Sequence, residues 1–317
     1  MKHYTFVDYA TQGYITLVGA LVLLFHNASV PEWPFLLAAH LAALLLVHGL
    51  IHLGARFPQQ PLINFLRHFY PVLMYTGFYR ETGLLNRMFV VDYLDVHFIA
   101  MDQSLFGYQP CLKLMQALPQ IWVSEVFYAS YFSYYVMIVG VGVALFLKSR
   151  RHFFHYVSVN SFVFYLCYLT YIILPVMGPR AFFRELDSFQ LPAEVLALAG
   201  DPSYPESVKA GLFFQIMAWI YRNFESPGAA FPSSHVAIAL CTVWFSFRYL
   251  PAIRWPHLAV GVLLCIATVY CRYHYVVDVV AGVVTMAVLV PLGDWLYRRF
   301  AGEPVEPAAN MDAESRQ

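Results

Sequence analysis

Charge is scarce in this chain. Asp, Glu, Lys and Arg make up 12% of its 317 residues, about half the share in an ordinary soluble domain. The 19 basic and 19 acidic side chains cancel. No excess of positive charge is left to meet a phosphate backbone, which argues against a nucleic-acid partner. Cysteine is scarce too: Cys111, Cys167, Cys241, Cys265 and Cys271 include no CxxC pair, and four of them fall in apolar runs. That is neither a disulfide framework nor a zinc site. Internal repeats and long flexible linkers are missing. The first apolar stretch has Asp8 where a basic leader would stand and no small-residue cleavage site after it. It is expected to be a span and not a cleaved signal peptide.

What remains is apolar. Hydrophobic residues reach 60% and aromatic residues 18%, which excludes a disordered chain and makes a lipid bilayer the natural solvent. A membrane helix needs about 20 mostly apolar residues. Runs free of Asp, Glu, Lys and Arg cover 9–31, 33–55, 126–147, 152–179, 226–247, 255–271 and 279–293. The last two are short, yet they flank Arg272 and Asp278, and ionisable residues interrupting a hydrophobic hairpin mark function. The fold class is therefore all-α: a polytopic integral membrane helical bundle of six to eight transmembrane helices, with seven the best count. The segment 68–79 is too short for a span and reads as interfacial or re-entrant. Residues 1–125 form an N-terminal hairpin with interfacial helices, 126–299 a catalytic core, and 300–317 a polar tail expected to be disordered. Within 92–110, acidic and apolar residues alternate at helical spacing. This predicts an interfacial helix with Asp92, Asp95 and Asp102 on a solvated face.

Loop charge gives orientation. Lys148, Arg150 and Arg151, then Arg248 and Arg254, then Arg298 and Arg299 all fall on one side, which the positive-inside rule makes cytoplasmic. The long loop at 178–232 carries four basic and six acidic residues and falls outside. This places a multi-pass protein in a membrane, expected to be the bacterial cytoplasmic membrane, with the motif face outward. Lys2 conflicts with an odd number of spans. An eighth crossing at 68–79 would remove the conflict.

Three motifs share the outward face: Gly178-Pro179-Arg180, Phe231-Pro232-Ser233-Ser234-His235, and Arg272-Tyr273-His274-Tyr275-Val276-Val277-Asp278. His274 and Asp278 are four apart, so a helix stacks them on one face. A carboxylate on one imidazole nitrogen raises the basicity of the other, which makes His274 a candidate nucleophile. Ser233 and Ser234 follow Pro232 as a helix-start signal, and the free amides there attract an anion. His235, in that first turn, is placed to protonate a leaving oxygen. Arg180 and Arg272 offer guanidinium forks to phosphate oxygens. Each motif alone has an ordinary structural use as a cap, a snorkelling arginine or a buried pair. Their meeting on one side favours phosphoryl transfer from a lipid.

At these residues the chain resembles the type 2 phosphatidic acid phosphatases. The resemblance implies that His274 is the nucleophile, Asp278 its partner, His235 the acid, Ser233 the phosphate-binding serine and Arg180 the first-motif arginine. It also implies that no metal or other cofactor takes part. The motif face agrees, because it offers no paired carboxylates for Mg²⁺. Ser234 stands where the family has Gly, Ile173 where it has Lys, and Thr268 where it has the third-motif Arg, with Arg272 one turn later as the replacement. These departures look like the inositol phosphorylceramide synthase and sphingomyelin synthase branch. The expected activity is hydrolysis of a lipid phosphate or diphosphate through a phosphohistidine. The alternative is transfer of a phospho-headgroup to a hydroxyl. A reading from another class is a non-enzymatic membrane transporter, or a haem- or metal-binding subunit using His40, His48 and His52 on the second span. The Tyr-rich third span (Tyr128, Tyr131, Tyr134, Tyr135) is expected to line a lipid-entry groove or to serve as an interfacial belt.

Overall fold

The structure, a computed structural model, describes residues 3–186, 189, 193–199 and 202–300. The tail expected to be disordered lies outside them from residue 301, as do Asp187 and Asp201 of the acidic loop. Among the described residues there are fourteen helices and no strand. Five are long and apolar enough to cross a membrane: α1 (Phe6–Phe25), α2 (Trp33–Arg56), α6 (Ile121–Lys148), α7 (Arg150–Ile173) and α14 (Val276–Phe300). The other two predicted spans form shorter helices, α12 (Ser234–Tyr249) and α13 (Arg254–Tyr270). Between them lie α3 (Pro61–Leu85), α4 (Asp95–Phe106), α5 (Pro110–Ala117), α8 (Pro179–Phe182), α9 (Ala193–Ala199), α10 (Glu206–Lys209) and α11 (Leu212–Phe224).

Helix boundaries follow local chemistry. Thr5 and Asp8 form a capping box at the start of α1, satisfying amides that have no partner in the first turn. Prolines open α2, α3 and α5, where a missing N–H costs nothing. Ser149, in extended conformation, closes α6 and opens α7, so these two spans turn back within one residue. α7 is the central helix and packs on α1, α3, α6, α12 and α14. α2 lies outermost and leaves Leu41, Leu45 and Leu46 exposed, as a lipid-facing helix does.

The segment 68–79 is not a separate short piece. It lies inside α3, whose 25 residues extend about 37 Å. Its early residue Phe69 stacks near Phe153 at the start of α7. Just past its other end, Asn86 donates to the Pro227 carbonyl at the motif end. α3 thus runs the length of the bundle, disguised by its charges. Arg67 is paired with the buried Asp8 at 2.6 Å, and Glu81 faces His40 at 3.3 Å.

The three basic clusters converge at one end. Lys148 donates to the Tyr249 carbonyl, Arg248 and Arg298 both reach Asp294, and the Tyr297 hydroxyl donates to the Arg151 carbonyl at 3.5 Å. The three motifs occupy the other end.

Candidate active site

The motif end is laced together through backbone. Val176 and Ala229 form an isolated parallel bridge; the Val176 amide donates to Gly228 and the Ala230 amide to Val176. This joins the first motif to the segment leading into the second. Gly178 has a φ of +86°, and a Cβ there would sit 2.6 Å from the Tyr273 carbonyl oxygen. Only glycine permits that approach, which seats the first motif against the third. The Ser233 amide donates to the Asp278 carbonyl at 3.1 Å, and Gly282 lets α14 lie against Ser233 and Val236. The Phe231–Pro232 peptide bond is cis.

Within this frame His274 Nδ1 faces Asp278 Oδ2 at 3.4 Å. His274 is buried and Asp278 fully so. The Tyr275 amide donates to Asp278 at 2.9 Å and fixes the carboxylate. Burial lowers the His274 imidazole to about 3, only partly offset by a hydrogen bond to the Ala230 carbonyl. Burial therefore favours the neutral imidazole. The His235 ring centroid lies 5.8 Å from that of His274. His235 is held by faces and not by a carboxylate: Tyr131 stacks on it at 4.9 Å and Tyr134 lies at 4.4 Å.

Arg180, His235 and His274 line one small pocket, together with Tyr221, Glu225 and Tyr273. Arg180 is ion-paired with Glu225 and lies over the Tyr221 ring at 4.5 Å. Its Nε is buried and unpartnered among the described residues. The pocket meets a larger cavity of about 400 Å³ that shares His235, Tyr221, Tyr79 and Glu225. Aromatic residues of α3, α6, α7 and α11 line that cavity, Tyr134 and Tyr135 among them.

The serines split their duties. Ser233 is the N-cap of α12 and accepts from the Val236 amide at 3.4 Å. Ser234 lines the larger cavity, and its amide donates to the Tyr171 hydroxyl. Arg272 lies elsewhere. With φ at +62°, its guanidinium donates to the Pro202 and Ser203 carbonyls and covers the Tyr204 ring. It lines neither of the two cavities that His235 lines.

Asp95 and Asp102 are not on a solvated face. Both are fully buried. Asp95 accepts from the Met177 and Gly178 amides at 2.8 and 2.9 Å and from the Tyr275 hydroxyl at 3.0 Å, which ties the first motif to the third. Asp102 accepts from the Val276 and Val277 amides at 2.9 and 3.2 Å, capping α14 from another helix. Their signal was in the sequence: positions 95, 98, 99 and 102 form one helical stripe, and Phe98 and Ile99 are buried with them.

The three histidines of the second span do not converge. His40 faces Glu81, whereas the exposed His48 pairs with the Tyr4 hydroxyl and meets the exposed His52 edge-on. Among the described residues no group of three His, Cys, Asp or Glu is placed to hold a metal ion.

A family model described as the PAP2 superfamily matches residues 97–292. A PA-phosphatase related-family protein of Dictyostelium discoideum is 26% identical over 120 residues, covering 38% of this chain and 19% of that protein. The chain thus aligns with about a fifth of that relative's length. No solved structure matches.

Proposed function

This chain belongs to the PAP2 superfamily, and from that membership we propose that it is a membrane lipid phosphatase working through phospho-His274. The observation that carries the reading is the shared pocket: His274 backed by Asp278, His235 across from it, and Arg180 beside both. In this reading His274 Nε2 attacks phosphorus while Arg180 holds the non-bridging oxygens. The bond from phosphorus to the lipid oxygen breaks, and His235 gives that oxygen its proton. Water then attacks the phosphohistidine, passes a proton to His235, and releases phosphate.

Ser233 contributes through the α12 N-terminus, which it caps. Ser234 is proposed as a wall of the lipid cavity. Arg272 is proposed to order the loop at 202–204 and to act on substrate only through it. The second reading, transfer to a hydroxyl acceptor as in the inositol phosphorylceramide synthase-like branch, draws support from the cavity of about 400 Å³ beside His235. An acceptor there would compete with water. The outward placement of the site in a bacterial cytoplasmic membrane belongs to the same proposal, supported by the convergence of the basic clusters at the opposite end.

Incubation with a ³²P-labelled lipid phosphate, quenched in alkaline denaturant, tests the mechanism. His274 should carry an alkali-stable label, His274→Ala should abolish label and turnover, and Asp278→Asn should slow both by on the order of 10²–10⁴-fold. Turnover retained by His274→Ala would end the phosphohistidine reading.

A further inference from the structure

Tyrosines at 128, 131, 134 and 135 recur at helical spacing on α6, so their rings share one face, and Tyr128, Tyr131 and Tyr134 are buried with it. Tyr131 is fully buried and lines neither of the cavities that His235 lines, so a substrate in either is out of its reach. Its ring meets the His235 imidazole nearly face to face, with centroids 4.9 Å and planes 27° apart. The same ring stacks on Tyr273 of the third motif at 4.3 Å. Tyr273 stacks in turn on Tyr221 at 4.3 Å, and the Arg180 guanidinium lies over Tyr221. The Tyr131 and Tyr221 hydroxyls are bonded to each other. One series of ring contacts thus joins the arginine of the pocket to its second histidine.

An acid at position 235 must carry a proton, and with it a positive charge, before it can deliver one. A charge taken out of water needs a partner. Of the carboxylates nearby, Glu225 is paired with Arg180 and Asp278 stands behind His274. A ring face is electron-rich and attracts a cation, most strongly where water is excluded. We propose that Tyr131 is a positioning residue for the reaction: its ring face holds the imidazolium form of His235 in place for proton delivery. Tyr131 has this role only if His235 is the acid of the reading above. In that step the bond from phosphorus to the lipid oxygen breaks, its electron pair leaves on the oxygen, and the His235 proton joins it. Tyr131 gives and takes nothing; it stabilises the cation before the transfer.

Tyr134 meets His235 at a steeper 43° and also lines the lipid cavity, so replacing it would alter substrate contacts as well. Tyr131 can be changed without that. The other titratable neighbours come from several elements. Arg180 of α8, Glu225 and Tyr221 of α11, Tyr79 of α3, and Tyr273 and His274 of the third motif share the pocket with His235. Tyr168 of α7 and Tyr135 of α6 share the larger cavity with it, and Asp278 of α14 lies behind His274. All keep their identity when only position 131 is varied.

The test places phenylalanine, and phenylalanines carrying one, two and three ring fluorines, at position 131 of the full chain purified in detergent. Fluorine drains electron density from the ring face at nearly constant size, and every member of the series lacks the bond to the Tyr221 hydroxyl alike. Phosphatidic acid and phosphatidylinositol are both offered. The rate on the lipid turned over is compared, at neutral pH, with that on p-nitrophenyl phosphate, whose leaving group needs little protonation. Tyr131→Phe should stay within about threefold of wild type on both substrates. Along the fluorine series the lipid rate should fall stepwise, by about threefold to tenfold in all, while p-nitrophenyl phosphate stays level. In a His235→Ala background the fall should disappear. A lipid rate flat across the series overturns the inference and leaves the phosphohistidine reading standing. So does an equal fall on both substrates, or a fall that persists in His235→Ala, either of which makes Tyr131 a packing residue alone. A loss already complete in Tyr131→Phe assigns the role to the hydroxyl and overturns it too. Turnover of neither lipid removes the lipid phosphatase reading, and this inference with it.

Discussion

His274 and His235 sit in one pocket yet are held by different means, and their roles separate on that difference. His274 has a buried carboxylate behind it at 3.4 Å; His235 lies against the rings of Tyr131 and Tyr134. A group held by faces keeps both nitrogens for protons, as a general acid requires. His235→Ala should therefore slow a lipid substrate by about 10²-fold or more and p-nitrophenyl phosphate far less, since its leaving group needs little protonation. Steady-state rates on the two substrates decide this, and equal losses would remove His235 as the acid. In the proposed mechanism charge stabilisation falls to Arg180 and the α12 amides, so activity is expected to survive excess EDTA. A strict need for added Mg²⁺ would point to other chemistry. At this scale the sequence was legible where spacing sets geometry: a His and an Asp four apart on a helix have one relation. It was not legible for Arg272. Its side chain follows a left-handed backbone that no motif announces, toward carbonyls 69 and 70 residues away.

At the scale of elements, α4 (Asp95–Phe106) governs the site without entering it. Asp95 collects two amides of the first motif and a hydroxyl of the third, and Asp102 caps α14 just before Asp278. Asp95→Asn replaces an acceptor oxygen with an NH₂ that opposes a buried donor, at a cost of about 1–3 kcal/mol. Asp102→Ala should cost about 0.5–2 kcal/mol. Both should lower the thermal midpoint and kcat together while His274 stays chemically intact; an unchanged kcat in Asp95→Asn would deny α4 its role. Gly178→Ala should be at least as damaging, because φ of +86° and the 2.6 Å approach to the Tyr273 carbonyl act together. The existence of α4 could be read from its periodicity, but its direction could not. Acidic residues on a stripe look solvated until one sees that buried amides from other elements need acceptors. α3 misled for the mirror reason. Arg67 and Glu81 broke its apolar run, and their partners Asp8 and His40 lie on other helices.

For the whole molecule, the span runs and loop charges were enough to indicate a bundle with two unlike ends, because hydropathy and charge are read residue by residue. The N-terminal side hung on α3, whose length its charges hid. With α3 running end to end, Asp8 and Arg67 at the start of α1 and α3 lie toward the basic end, where Lys2 was expected. Sidedness is testable because the native cysteines are buried apart from the half-buried Cys265. A cysteine at Ser203 should react with an impermeant maleimide from outside intact cells, and one at Ala252 should not. The reverse pattern would put the site in the cytoplasm. One link has a consequence in time. The Tyr275 hydroxyl meets Asp95 across 180 residues of sequence. At a synthesis rate of about 5–20 residues per second, the ribosome needs roughly 10–40 s between making the two. Only late in that interval does the nascent chain hold both of the first two motifs and the aromatic walls, and His274 comes at its end. In the proposed mechanism the chain is therefore inert toward lipid phosphates during its own insertion, until His274 and α14 arrive.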